Sequence, residues 1–136
     1  MKFEEIELAF TFVSMERECT NSAFLCKETG MIYYTSEIGD PDDLPEDVND
    51  TKKYIEIPHK NDLDLGRVLV MEFVSDHLPE DLGRVNGIFR RKGAYARFKA
   101  LLEDRGRLEQ WYDYEERKQE AALREWCSEN GIEISG

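Results

Sequence analysis

Cysteine, histidine and basic residues are scarce in this chain of 136 residues, and each scarcity closes off a class of protein. There are three cysteines, Cys19, Cys26 and Cys127. The number is odd and no Cys-x-x-Cys occurs, so neither a disulfide framework nor a thiolate zinc site is indicated, and buried thiols in a reducing cytoplasm are expected. The two histidines, His59 and His77, form neither a His-Glu-x-x-His motif nor a helical pair. Metal ligation and general-base roles therefore lack a spacing argument, and both rings are expected at the surface or at helix ends. Ser14, Ser36 and Ser75 stand in no nucleophile motif, and Gly83, Gly87 and Gly93 do not form a phosphate loop. An enzyme is thus not expected, and neither is a cofactor or a metal. No apolar run approaches the ~20 residues of a membrane span. The opening MKFEEIELAF has glutamates where a secretory signal would carry cations, so a cytoplasmic location is expected. Basic side chains number 18 against 30 acidic ones, a net charge of −12, which works against any long nucleic-acid footprint.

What is present suffices for a core. Apolar residues make up 40% and aromatics 11% of the chain, so a single domain over residues 1–136 is expected rather than disorder. Phe3, Ile6, Phe10 and Val13 recur at helical spacing with glutamates between them. Two short runs rich in aromatic and branched residues flank Glu28-Thr29-Gly30, which reads as a hairpin, and Tyr54, Ile55 and Ile57 predict a third strand ended by Pro58. Helical patterns follow. Asn61 is a candidate N-cap with Asp62 and Asp64 in the first turn and an apolar face of Leu65, Val68, Leu69, Phe73 and Val74. Pro79 opens a helix with Leu82, Val85, Ile88 and Phe89 in its stripe, and Gly93 is expected to end it. Ala94 to about Glu103 is the next, with Tyr95, Phe98, Leu101 and Leu102 inward and Gly106 after it. Asp113 and Glu116 resemble a capping box for a last helix that stops before Gly131. The fold class is α+β: an N-terminal helix, a small antiparallel sheet of two or three strands, then a cluster of three or four helices that cover it.

Charge is unevenly distributed along this pattern. Residues 1–83 hold 20 acidic and 7 basic side chains, whereas residues 84–107 hold 2 and 8. Within the acidic part, the stretch 39–50 has two prolines and six carboxylates, which predicts a mobile, solvated loop. Within the basic part, RRKGAYARFKALL places Arg90, Arg91, Lys92, Arg97 and Lys99 around Tyr95 and Phe98. The two aromatics share a stripe with Leu102 and belong to the core, so Arg97 and Lys99 lie to its sides. The cations and the N-terminus of the Ala94 helix converge on one space, a suitable place for a carboxylate or a phosphate. At least one of the five is expected to pair with a carboxylate of the chain itself. Trp111, Tyr112, Tyr114 and Trp126 form a second aromatic group, expected to seal the joint between the last helices and the sheet. Trp111, Trp126, Phe98 and Phe89 are expected in one buried cluster.

The segment KGAYARFKALLEDRGRLEQWYDYEERKQEAALREWCSENGIEI resembles the signature of the bacterial uncharacterised protein family 0158. The matching positions are Gly93, Ala94, Tyr95, Arg97, Phe98 and Lys99, then Trp111, Tyr112 and Tyr114, then Trp126, and last Gly131 with Ile132. Tyr95 stands where a Phe is commoner and Cys127 where a Leu is expected. The ETG hairpin and YIEIP extend the likeness over most of the chain. The resemblance implies a bacterial cytosolic domain and carries no assigned activity. The residues themselves favour a non-enzymatic interaction domain that uses the basic helix junction to contact an acidic partner or its own copy. The alternative is a nucleic-acid-associated regulator contacting phosphates through Arg90, Arg91, Lys92, Arg97 and Lys99.

Overall fold

A computed structural model describes residues 1–15, 20–36 and 44–135. The chain divides into two compact units, residues 1–62 with 123–136, and residues 63–122. The first unit carries 18 acidic and 7 basic side chains and the second 12 and 11, so nearly all of the net negative charge sits on the first.

In the first unit, α1 (Phe3–Ser14) buries Phe3, Ile6, Ala9, Phe10 and Val13, the i, i+3, i+4, i+7 face set by its apolar spacing. The predicted hairpin is present as β1 (Asn21–Cys26) and β2 (Ile32–Ser36). Gly30 takes φ +78°, a conformation open to glycine at little cost, and lets its N–H donate to the Cys26 carbonyl at 2.8 Å. β3 (Tyr54–Glu56) completes an antiparallel sheet of order β2-β1-β3, with Phe24 opposite both Tyr33 and Glu56. Ile57, one residue beyond β3, is buried and donates its N–H to the Ala23 carbonyl. The tail returns to the start of the chain through a parallel bridge between Lys2 and Ser135.

In the second unit, α2 (Arg67–His77), α3 (Leu82–Ile88), α4 (Ala94–Asp104) and the first part of α5 (Leu108–Glu129) surround one apolar cluster. Phe73, Val74, Val85, Phe98, Leu102 and Trp111 are its centre. Trp111 presents ring edges or faces to Phe73 at 5.3 Å, Phe98 at 5.2 Å and Tyr114 at 6.2 Å between centroids. Such contacts add about 0.5–1.5 kcal/mol each beyond the area they bury.

Several expectations need correction. α2 begins at Arg67, with Gly66 as its N-cap, and not at Asn61. Asp64 has φ +55°, which breaks the helix, and the Asp62 carboxylate instead accepts the His59 N–H at 3.0 Å to close a short 3-10 turn, Lys60–Leu63. His59 stands at the start of this turn, one of the two settings expected for it, but is buried rather than at the surface, and its Nδ1 accepts the Asn61 N–H at 3.1 Å. Val68 is 48% exposed, and Val70 takes the core position in its place. α3 ends at Ile88, several residues short of Gly93. α5 starts at Leu108 and runs straight through Asp113, which is tolerated because that side chain stays in solvent. Trp126 is half-buried and lies outside the Trp111 cluster. Of the acidic stretch, residues 39–43 lie outside the described residues. The part from Pro45 to Asp50 folds into consecutive turns, with the exposed Asp47 ion-paired to Lys53 at 3.1 Å.

Trp111→Ala should cost about 3–5 kcal/mol in urea unfolding. Trp111→Phe should cost clearly less, because among the described residues the indole N–H has no hydrogen-bond partner to lose. Trp126→Ala should fall well below Trp111→Ala, since part of that side chain is already in water.

Candidate functional site

The five cations picked out in the sequence occupy the connection between α3 and α4. α3 closes with tight turns: the Phe89 N–H donates to the Val85 carbonyl at 3.1 Å, Arg90 to Gly87 at 3.3 Å and Arg91 to Ile88 at 3.3 Å. Gly93, at φ +74°, then reverses the chain into α4. A side chain there would meet a strained backbone and would lie 4.0 Å from the Arg97 guanidinium. Phe89 clasps the turn from inside, edge-on to Tyr95 at 5.1 Å and to Phe98 at 5.7 Å. Phe98 is fully buried and its neighbours in the helix, Arg97 and Lys99, are exposed on either side of it. That follows from the ~100° step between successive helical residues.

Arg90, Arg91, Lys92, Arg97 and Lys99 are all exposed. Arg97 Nη2 donates to the Lys92 carbonyl, which draws the guanidinium back over the turn. Lys99 Nζ stands 5.6 Å from the centre of the Tyr112 ring, a cation–π contact with a side chain that is itself 45% exposed. Among the described residues, none of the five cations makes an ion pair with a carboxylate, contrary to the expectation that at least one would. The first turn of α4 also has no side-chain cap. The ion pairs of this unit lie elsewhere. Arg105 grips the buried Asp81 through two bonds, Nε to Oδ2 at 3.1 Å and Nη2 to Oδ1 at 3.3 Å, and also reaches Asp104 at 2.8 Å. The Arg105 hydrogen bonds hold the Asp81 carboxyl below the usual carboxylate range.

Other features carry less chemistry. His77 ends α2, its ring 4.7 Å from Phe73 and its Nδ1 3.2 Å from the Gln110 amide. Cys26 and Cys127 are buried free thiols, and Cys19 lies outside the described residues. Burial pushes the Cys127 thiol up, whereas the Thr29 hydroxyl brings Cys26 down against its own desolvation. A groove of about 620 Å³ runs between α2 and α5, with Val68, Met71 and Tyr114 as its apolar lining and Glu72, Asp76 and Lys118 among its charges. Among the described residues no group of three or more His, Cys, Asp or Glu side chains is arranged to hold a metal ion. No described helix is long and apolar enough to cross a membrane.

The sequence picked the cations but set Tyr112 in the aromatic group expected to seal the joint between the last helices and the sheet, whereas Tyr112 is 45% exposed beside Lys99. Its one available signal was position: Tyr112 follows the buried Trp111 by a single helical step, which turns it to the flank of α5.

No family model, no curated protein and no solved structure matches this chain.

The Asp81 carboxyl titrates lower folded than unfolded, so its contribution is present above the unfolded pKa of about 3.9 and is lost as pH falls through the folded value. Urea unfolding followed from pH 6 downward should therefore show parent stability falling below about pH 4, with a shallower fall in Asp81→Asn. Identical pH profiles would mean that Arg105 does not hold this carboxylate.

Proposed function

We propose that this chain is a non-enzymatic interaction domain whose exposed helix junction receives a carboxylate-rich surface of a partner protein. Arg90, Arg91, Lys92, Arg97 and Lys99 supply the charge, and Tyr112 beneath Lys99 supplies an aromatic floor. The observation that carries the reading is the missing internal partner. Among the described residues no carboxylate pairs with these five cations. An exposed ion pair contributes only about 0–1 kcal/mol, so the fold gains little by neutralising them and a partner meets them already free. Arginine suits the task, because its planar fork takes a carboxylate with two parallel bonds. The acidic first unit of a second copy offers one such surface, with 18 acidic against 7 basic side chains. A cytoplasmic setting belongs to the same proposal, as does the resemblance to uncharacterised protein family 0158, which brings no activity to contradict it.

A second reading has one observation in its favour. Tyr112, exposed beside Lys99, is the kind of platform on which an unpaired base stacks. Against it stand the overall charge of −12 and the burial of Phe98, which leaves the cations with few aromatics in solvent.

Fluorescence titration with labelled polyglutamate and with a single-stranded oligonucleotide of similar length separates the two. The expected result is polyglutamate binding that weakens steeply with salt and drops about tenfold or more when Arg90, Arg91 and Lys92 are all changed to Glu. Binding unchanged in that variant, or no binding by the parent protein, would defeat the proposal. Clearly tighter binding of the oligonucleotide would favour the nucleic-acid reading.

A further inference from the structure

The first unit has a feature that the basic junction does not use: β2 is an open sheet edge among the described residues. The hydrogen bonds show which of its residues are unpaired. The Cys26 N–H donates across to the Met31 carbonyl at 2.8 Å, whereas the Ile57 N–H donates to the Ala23 carbonyl and the Lys27 N–H to the Lys53 carbonyl. Even-numbered residues of β1 therefore serve β2, and odd-numbered ones serve β3. With Phe24 opposite Tyr33 and Ser22 opposite Thr35, the backbone groups of Tyr33 and Thr35 turn inward. Those of Ile32, Tyr34 and Ser36 turn outward, by the alternation of antiparallel ladders.

Sheet edges are ordinarily protected by charge, proline or brevity. β3, the opposite edge, is three residues long and lies between Lys53 and Pro58. β2 is five residues, IYYTS, with neither charge nor proline. A groove of about 460 Å³ adjoins it, lined by Glu5, Leu8, Met31, Ile32 and Tyr34 among others. Leu8, Met31 and Tyr34 are 62%, 56% and 44% exposed, and Phe12 fixes the Tyr34 ring edge-on at 5.1 Å.

The geometry points to a self-pairing edge: a second copy adds its β2 antiparallel to this one, with Tyr34 opposite Tyr34 and Ile32 opposite Ser36, and the two sheets become one. The strand can pair with its own reverse. Its three outward residues are symmetric about Tyr34, so a reversed copy sets each N–H against a carbonyl. The strand bears no charge, so no like charges meet along the ladder. A two-fold axis through Tyr34 also lets Leu8 and Met31 of each copy cover apolar surface on the other. The ladder is only five residues long, so the dimer is weak. The two acidic units repel over distance, so screening by salt strengthens this association. That is the opposite sign to the contact proposed for the basic junction, and the two proposals fail separately.

Sedimentation equilibrium at about 50 mM and about 500 mM salt tests it, on the parent protein, Leu8→Glu, Tyr34→Pro and the Arg90→Glu/Arg91→Glu/Lys92→Glu variant. Leu8 is on the solvent face of α1, so its replacement leaves the fold intact even if Tyr34→Pro does not fold. The expected result is a monomer–dimer equilibrium that tightens several-fold at the higher salt, persists in the triple variant and is lost in Leu8→Glu. A monomer at every concentration, a dimer that weakens with salt, a dimer indifferent to Leu8→Glu, or one lost in the triple variant would each overturn it.

Discussion

The contact between Phe98 and Trp111, ring edges 5.2 Å apart between centroids, is the one on which the proposed surface depends. With Phe98 fixed inward, α4 has no rotational freedom left, and its cations must emerge on either side. Trp111 is anchored in turn by Phe73 and Tyr114. Among the described residues its buried indole N–H has no hydrogen-bond partner, which costs about 1–3 kcal/mol. Burial of an indole removes roughly 150–250 Å² from water, about 4–6 kcal/mol at ~25 cal/mol/Å². The apolar term outweighs the orphaned donor, so the packing holds with no polar tie at this point.

Charge is partitioned by unit rather than balanced locally. The first unit carries most of the negative excess, and the second is nearly neutral with its cations gathered at one turn. Where the second unit uses an ion pair for structure, it uses a partly buried, two-pronged one, Arg105 on Asp81, whose charge-assisted hydrogen bonds outweigh the desolvation of the carboxylate. The five cations at the junction are exposed and, among the described residues, have no carboxylate partner, and one of them, Arg97, is tied back by the Lys92 carbonyl. Clustered like charge destabilises the turn slightly and raises the local attraction for an anionic surface.

Much of this architecture was legible from local signals. The hairpin followed from Gly30 between two strand-like runs, the face of α4 from the spacing of Phe98, Leu101 and Leu102, and the helix stops from Gly106 and Gly131. Where the reading failed, a local pattern met a tertiary demand. Asn61 and Asp62 look like a helix start, but Asp62 turns back to the His59 N–H, and Asp64 enters the left-handed region. Asp113 and Glu116 look like a capping box, but the helix must begin earlier to deliver Trp111 to the core. The basic residues of the candidate site were visible as composition. Whether they paired with carboxylates was not, because pairing depends on distances between elements far apart in sequence. The same holds for Tyr112 under Lys99 and for the open edge of β2, which exists only once the strand order is known.

The central claim is that Arg90, Arg91 and Lys92 are held by the fold without being used by it. Urea unfolding of the Arg90→Glu/Arg91→Glu/Lys92→Glu variant beside the parent protein at low ionic strength tests this directly. If the cations have no carboxylate partner within the chain, the variant's stability should lie within about 0.5 kcal/mol of the parent's, the range for surface residues without a structural role. A loss of about 2 kcal/mol or more would contradict the account, because it would mean that the junction is held together by ion pairs of its own.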